Sequence, residues 1–292
     1  MTSFIQAKTI LSSLKAGTDT WFGLRYNMNL YRGCQHGCIY CDSRSKCYGI
    51  KNFSEIEVKE NALELLEKEL RSKRDKGTIG FGSMNDPYMP VEKELQLSRK
   101  ALELIKKYRF PVHLITKSTL VLRDMDILKE ISTTYAAVSI TITTANDALS
   151  KKIEPGAPCS SERFEAVKTL NQNGIYCGIL LMPVLPYLTD QPENIEEIVI
   201  RGKEAGAKYI LAAMGMTLRE GQREYYYKQL DLRFPGLAEN YKVRYGHDYS
   251  CNAPNHSKLW QTFDSKCREN AMPQHMEFYQ PIKPTQLNLF NA

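Results

Sequence analysis

From about residue 26 onward, short apolar runs alternate with longer stretches whose apolar positions recur every three or four residues. The short runs are Tyr26–Leu30, Thr78–Gly82, Val112–Thr116, Ala136–Thr141, Ile175–Met182 and Tyr209–Ala212, lengths that suit buried strands. Between them the spacing is helical. Ile56–Arg74 carries Leu63, Leu66 and Leu70 within a Glu/Lys-rich face, and Lys93–Lys107 follows the stop Asn85-Asp86-Pro87. Arg123–Ser132, Ser161–Asn173 and Ile195–Ala205 complete the set, with Gly174 closing the Ser161 helix. Strand-then-helix units in succession predict a parallel sheet of the α/β class, and right-handed crossovers curl it into a partial (β/α)6 TIM barrel. Residues 1–25 lack this periodicity and read as an N-terminal arm, anchored by Trp21 and Phe22. Residues 26–215 read as the barrel, 216–280 as a small, mainly helical C-terminal cap, and 281–292 as a tail.

In barrels of this kind the active site lies at the C-terminal ends of the strands, and the residues that break the apolar pattern fall there. After the first strand comes Tyr31-Arg32-Gly33-Cys34-Gln35-His36-Gly37-Cys38-Ile39-Tyr40-Cys41-Asp42. After the second comes Gly82-Ser83-Met84-Asn85-Asp86-Pro87-Tyr88, and after the third Thr116-Lys117-Ser118. The fourth brings Ser139 and Thr141, the fifth Met182-Pro183-Val184-Leu185-Pro186. Cys34, Cys38 and Cys41 stand at C-x3-C-x2-C. Thiolates so crowded wrap one inorganic centre, as they do around iron–sulfur clusters. A [4Fe–4S] cube has one iron more than these cysteines can ligate, and an open iron can bind a small molecule. Cys34, Cys38, Cys41 and His36 also supply the N/S ligands of a structural zinc site, so that alternative stands beside the cluster.

Composition narrows the class. The chain has 292 residues, enough for one large domain with an appendage. No apolar run approaches the ~20 residues that span a bilayer, so no membrane association is expected. The eight cysteines fit a reducing, cytoplasmic setting better than a disulfide framework. The formal charge of +6 permits contact with a polyanion without demanding it.

The cysteine spacing resembles the signature of the radical S-adenosylmethionine (SAM) superfamily. The longer string from Asn29 to Cys41 resembles its spore photoproduct lyase-like, or DNA repair photolyase-like, branch. The resemblance covers roughly residues 8 to 215 and implies the partial-barrel fold, a [4Fe–4S] cluster on Cys34, Cys38 and Cys41, and SAM chelated at the open iron. One-electron cleavage of SAM to a 5′-deoxyadenosyl radical would then begin hydrogen abstraction. Gly80–Tyr88 looks like the branch's GS-x-x-DPY element, which places Ser83, Asn85 and Asp86 near the methionine end of SAM. Lys117 and Ser139 have counterparts that contact SAM, while Tyr40 and Met182 occupy places that flank adenine. Glu154 and Arg163 read as an ion pair shaping the site, or Arg163 as a fork for the SAM carboxylate. In spore photoproduct lyase a cysteine returns a hydrogen atom to the product radical, and Ser83 stands at that place here.

A reaction on nucleic acid, such as DNA lesion repair or base modification by a lyase-like enzyme, follows by family analogy. Radical modification of a protein or peptide is one rival; a metal-stabilised nucleic-acid-binding module without catalysis is another. An electron donor such as flavodoxin or ferredoxin is implied as a partner. The cap interleaves Tyr225, Tyr226, Tyr227, Tyr241, Tyr245 and Tyr249 with Arg244 and Lys258, a composition that suits either base stacking or a helical lid. Cys47, Cys251 and Cys267 are scattered, and Cys251 beside His247 and His256 is a candidate for the substrate side. In the tail, Gln286, Leu287, Leu289 and Phe290 resemble the β sliding-clamp-binding motif Q-L-x-L-F, which would dock as an extended peptide.

Overall fold

The computed structural model of the chain describes residues 2–15, 17 and 19–281. In chain order the strands are β1 (Thr2–Ile5), β2 (Leu11–Ser13), β3 (Leu24–Met28), β4 (Tyr31–Arg32), β5 (Ile56–Lys59), β6 (Thr78–Phe81), β7 (Val112–Thr116), β8 (Ala136–Thr141), β9 (Tyr176–Leu181), β10 (Ile210–Ala212), β11 (Gly215–Thr217) and β12 (Ser250–Asn252). The helices are α1 (Ala62–Ser72), α2 (Glu92–Leu95), α3 (Leu97–Lys107), α4 (Met125–Ile131), α5 (Asp147–Ile153), α6 (Ser160–Gln172), α7 (Pro192–Glu204), α8 (Gln222–Arg233), α9 (Leu237–Tyr245) and α10 (His256–Glu269).

The main sheet runs β10-β9-β8-β7-β6-β3-β2. Its neighbours from β3 to β10 are parallel, and β2 adds antiparallel to β3 at one edge. The sheet does not close on itself, so the fold is the partial barrel that the periodicity predicts. One face of the sheet packs on helices: Leu114, Val138, Ile140, Ile179 and Leu181 join Ala101, Leu102, Ile105, Leu128, Val167 and Leu170 in a single buried cluster. The other face is the barrel interior. There Ala137, Leu180, Tyr209 and Leu211 pack with Met276, flanked by Phe22, Ile115, Met182 and Phe278.

The interior is filled from both ends of the chain. The Pro273 carbonyl accepts a bond from Ile210 N–H on edge strand β10. Glu277 N–H donates to the Tyr176 hydroxyl, and the Tyr135 hydroxyl donates to Glu277 O. Phe278 lies so close to Gly23 that a Cβ there would sit 2.6 Å from its ring. The chain segment around 273–278 therefore occupies space that a closed barrel would give to further strands.

Several elements depart from the periodicity reading. Ile56–Lys59 is strand β5, which pairs with β1 and β4, and the helix begins only at Ala62. The alternation of buried Ile56 and Val58 is period-two, and the leucine spacing beyond it masks that short run. The Lys93–Lys107 helix is broken at Gln96, whose φ is 51°. Helix α5, capped by Asn146 accepting from Leu149 N–H, was not expected, because seven residues are too few to show a helical period. The arm supplies strands β1 and β2. Phe22 packs inward as expected, but Trp21 is 47% exposed and does not anchor the arm. The tail motif at Gln286–Phe290 lies outside the described residues.

Gly178 on β9 shows how tightly the interior is fitted: a Cβ there would lie 2.5 Å from the fully buried Tyr209 ring. Gly178→Ala is expected to destabilise the protein by about 1–3 kcal/mol through overpacking, read as a lower urea midpoint with an unchanged slope.

Candidate active site at the strand ends

Residues 33–41 form neither helix nor strand, and their shape is set from outside. Cys34 N–H donates to Phe53 O at 3.0 Å, Ile39 N–H to Ile153 O at 2.9 Å, and Gly156 N–H to His36 O at 2.8 Å. Gly33 adopts φ +82°, where a Cβ would stand 2.3 Å from Glu55 O, so only glycine lets the loop leave β4 this way. Tyr40 donates its hydroxyl to the buried Glu154 carboxylate. Glu154 in turn pairs with Arg163 at 2.6 Å, both fully buried. His36 bonds Gly156 O through Nδ1 at 3.0 Å and faces Asp86 through Nε2 at 3.1 Å.

The loop opens onto a cavity of 680 Å³ at the C-terminal ends of the parallel strands, a volume that accommodates a small-molecule ligand. Cys34, Cys38, Cys41, Tyr40, Ser83, Asn85, Asp86, Lys117 and Met182 all line it. Asn85 donates to Tyr31 O at 2.7 Å, and the Ser83 hydroxyl to Asn27 Oδ1 at 2.9 Å. Asp86 accepts from Thr116 Oγ1 at 2.6 Å and Lys117 N–H at 2.7 Å. Burial would raise its carboxyl, but the His36 imidazole and these bonds outweigh burial and hold it at about 2. Lys117 Nζ has no hydrogen bond or ion pair among the described residues and lies 5.7 Å from the centre of the Tyr40 ring. Burial pushes its ammonium down, and the neighbouring Cys38 and the Glu154 carboxylate push it up by more, so it stays protonated.

Ser139 and Arg163 are placed elsewhere. Ser139 lies one layer beneath the cavity, bonded to His113 Nε2 at 2.8 Å and the Tyr209 hydroxyl at 2.7 Å. Burial drives the His113 imidazole down to about 3, so it is neutral. Arg163 meets Glu154 and Thr141 O through Nη1 and Pro158 O through Nε, while its buried Nη2 has no hydrogen-bond partner among the described residues. It is the structural half of the ion-pair expectation, and it reaches the cavity only through Glu154 and Tyr40. Cys251 is buried beside Tyr226, Tyr241 and Tyr245, while its neighbours Ser250 and Asn252 face the cavity. It therefore turns away from the side that the sequence suggested. Tyr226 and Tyr241 bond each other at 3.0 Å inside the cap and are cap core, not a stacking surface. Cys47 is exposed beside Arg219, and Cys267 is in the main core.

The three thiols suit a cluster better than a single ion. Burial pushes them all up, Cys34 to about 12 with the Asp86 charge adding to it. They are thus poor nucleophiles as they stand, and a bound cationic centre would reverse that shift. His36 is committed to Gly156 and Asp86, so it is not offered as a fourth ligand. Among the described residues no three His, Cys, Asp or Glu side chains converge as a single metal ion requires. An iron–sulfur cube presents a separate iron to each thiolate, so its ligands need not meet at one point.

Fold and site together define an open-barrel protein that gathers three thiols and an unpaired ammonium around one cavity. The radical SAM superfamily model matches residues 28–199, and the chain belongs to that superfamily. The family implies SAM and a [4Fe–4S] cluster, and membership supports radical SAM catalysis. A spore photoproduct lyase variant solved with AdoMet and a dinucleoside spore photoproduct shares the fold at a TM-score of 0.69. The match covers 94% of this chain and 82% of that one, with 14% of residues identical. An uncharacterized protein of Methanocaldococcus jannaschii is 41% identical over 172 residues, 58% of this chain. The match spans 63% of that relative's length. The radical SAM Nalpha-GlyT isomerase of Pseudomonas phage M6 is 25% identical over 178 residues, covering 61% of this chain and 36% of that protein. Among the described residues no helix is long and apolar enough to cross a membrane.

Sequence reasoning missed Thr116 as the partner of Asp86. It also missed the far wall of the cavity, where Thr217, Gln222, Asn252 and Trp260 stand. These residues carry no motif, and tertiary packing alone brings them in.

The Glu154–Arg163 pair yields a direct test. Arg163→Met leaves a carboxylate buried without its partner and is expected to cost about 3–5 kcal/mol in urea unfolding. The double variant with Glu154→Met is expected to recover most of that loss.

Proposed function

We propose that the chain is a radical SAM enzyme that holds a [4Fe–4S] cluster on Cys34, Cys38 and Cys41 and acts on nucleic acid. The observation that carries this reading is the gathering of all three cysteines, Tyr40 and Lys117 around one cavity at the strand ends. When bound, the cluster supplies the electron that cleaves the SAM sulfonium and leaves a 5′-deoxyadenosyl radical.

The chain's own residues bind and orient. Among the described residues the Lys117 ammonium lines the cavity without a hydrogen bond or ion pair, suited to the SAM carboxylate or ribose hydroxyls. Gly82, at φ +93°, lets the chain turn at the cavity wall against β7, where a Cβ would stand 2.2 Å from Ile115 O. Tyr40 and Met182 offer apolar faces for adenine, and the Glu154 carboxylate fixes the Tyr40 ring. Asp86 is already satisfied by Thr116, Lys117 N–H and His36, so it braces the strand-end loop against the cysteine loop. The positive formal charge of +6 and the shared fold with a lyase bound to a dinucleoside photoproduct favour a nucleic-acid substrate over a peptide.

The test is anaerobic reconstitution with iron and sulfide, reduction with dithionite, and assay for 5′-deoxyadenosine after SAM is added. Product is expected from the unaltered protein and none above background from Cys34→Ala, Cys38→Ala or Cys41→Ala. A native protein that contains zinc and no iron would overturn the reading. Removing the free ammonium in Lys117→Met is expected to raise the SAM KM about tenfold, as loss of a charge-assisted bond does, with the cluster's absorption unchanged.

A further inference from the structure

The chain contains two tryptophans, and both line the site cavity. They come from opposite margins of the open sheet. Trp21 lies just before β3, the neighbour of edge strand β2. Trp260 sits on α10, which packs on α7 and leads to the segment that bonds edge strand β10 through Pro273. Trp21 has no place in the core clusters, and Trp260 packs on the edge of the main core with part of its ring left over. Phe22, next in sequence, turns inward to within 4.9 Å of the His113 ring, while Trp21 remains 47% exposed. Trp260 is half-buried and meets Phe263 edge-on at 5.8 Å, which holds the indole in place and leaves part of it open.

Unspent polar groups stand on the same side. Alternation along β12 turns Ser250 and Asn252 to the cavity and Cys251 away from it. Among the described residues neither the Ser250 hydroxyl nor the Asn252 amide has a hydrogen-bond partner. Gly215 makes room for them, since a Cβ there would stand 2.8 Å from Cys251 O. The carboxylates that line the cavity, Asp42 and Asp86, are both engaged: Asp42 by the Tyr48 hydroxyl at 2.8 Å and Thr217 at 3.3 Å, Asp86 by Thr116 and Lys117. Asp42 also faces the Arg219 guanidinium at 3.3 Å, which offsets part of its negative charge.

We propose that the part of the cavity between these margins is a nucleobase subsite, in which Trp21 and Trp260 supply stacking faces for a base drawn out of a single strand. Ser250 and Asn252 bond the edge of that base. Indole faces accept any base, because every base has a π-face, while an amide that can donate and accept at once is the group that reads a base edge. The inference rests on the nucleic-acid reading above and names the part of the substrate held and the residues that hold it.

The reconstituted holoenzyme is titrated into a fluorescein-labelled, mixed-sequence single-stranded DNA oligomer, with the RNA of the same sequence as a second arm, and binding is read by anisotropy. Trp21→Ala and Trp260→Ala are each expected to weaken binding about tenfold, the size of one lost stack. Trp21→Phe and Trp260→Phe should restore most of it, which a merely structural role would not predict. Trp21 is half exposed, so its variant tests the proposal even if Trp260→Ala melts early. Unchanged affinity in the Trp21→Ala and Trp260→Ala variants overturns the subsite, as does displacement by an unstructured peptide as effective as unlabelled oligomer. Release of 5′-deoxyadenosine by the unaltered enzyme is measured on the same preparation. If it appears while the variants bind normally, the subsite alone fails; if it is absent, the radical reading fails whatever the oligomer does.

Discussion

A loop without a hydrogen-bond ladder of its own must take its shape from its neighbours, because buried backbone N–H and C=O groups need partners. Residues 33–41 meet that requirement through Phe53, Ile153 and Gly156. Those partners lie before β5 and at or just after the end of α5, so the cysteine loop is clamped between two distant parts of the barrel. The side chains repeat the arrangement, with Tyr40 on Glu154 and His36 facing Asp86. What lies between the clamps is left to point at the cavity, and that is where the three thiols are.

The same clamps divide charge from chemistry. Glu154, Arg163, Asp86 and His36 are all buried, and each has its partner inside the protein. They set positions through those partners, although the buried Arg163 Nη2 has no hydrogen-bond partner among the described residues. Lys117 is the contrasting case, a cation with its ammonium uncommitted at the cavity wall. A site of this kind distinguishes scaffold from contact by how completely each group's bonding capacity is already used. That distinction explains why Ser139, bonded to both His113 and Tyr209, is lining for the barrel floor and not for the cavity.

Much of the architecture was legible because parallel strands buried on both faces and amphipathic helices have different periods. The spacing located β3, β6, β7, β8, β9 and β10, and the break in apolar pattern after each strand located most of the cavity. What escaped was short or relational. Strand β5 is four residues long and abuts a strongly periodic helix. Ser139 and Thr141 both point into the barrel, but only Thr141 is high enough on β8 to line the cavity, and depth along a strand leaves no mark in a sequence. Cys251 was drawn to attention by nearby histidines, whereas the two-residue period of β12 decides which way it faces. The far wall of the cavity is assembled from elements remote in the chain, and no local pattern could have announced it.

The segment that fills the barrel interior has a temporal consequence. Met276 and Phe278 complete a core whose other members, Phe22, Ile115, Ala137, Leu180 and Tyr209, are made much earlier in synthesis. While the chain is being elongated, that inner face stays uncovered and edge strand β10 lacks its bond to Pro273. Helices can cover the outer face of the sheet as they emerge, but the inner face waits for residues 273–278 to emerge. Maturation is therefore ordered from outside to inside, and the cavity gains a finished floor only after translation has passed residue 278.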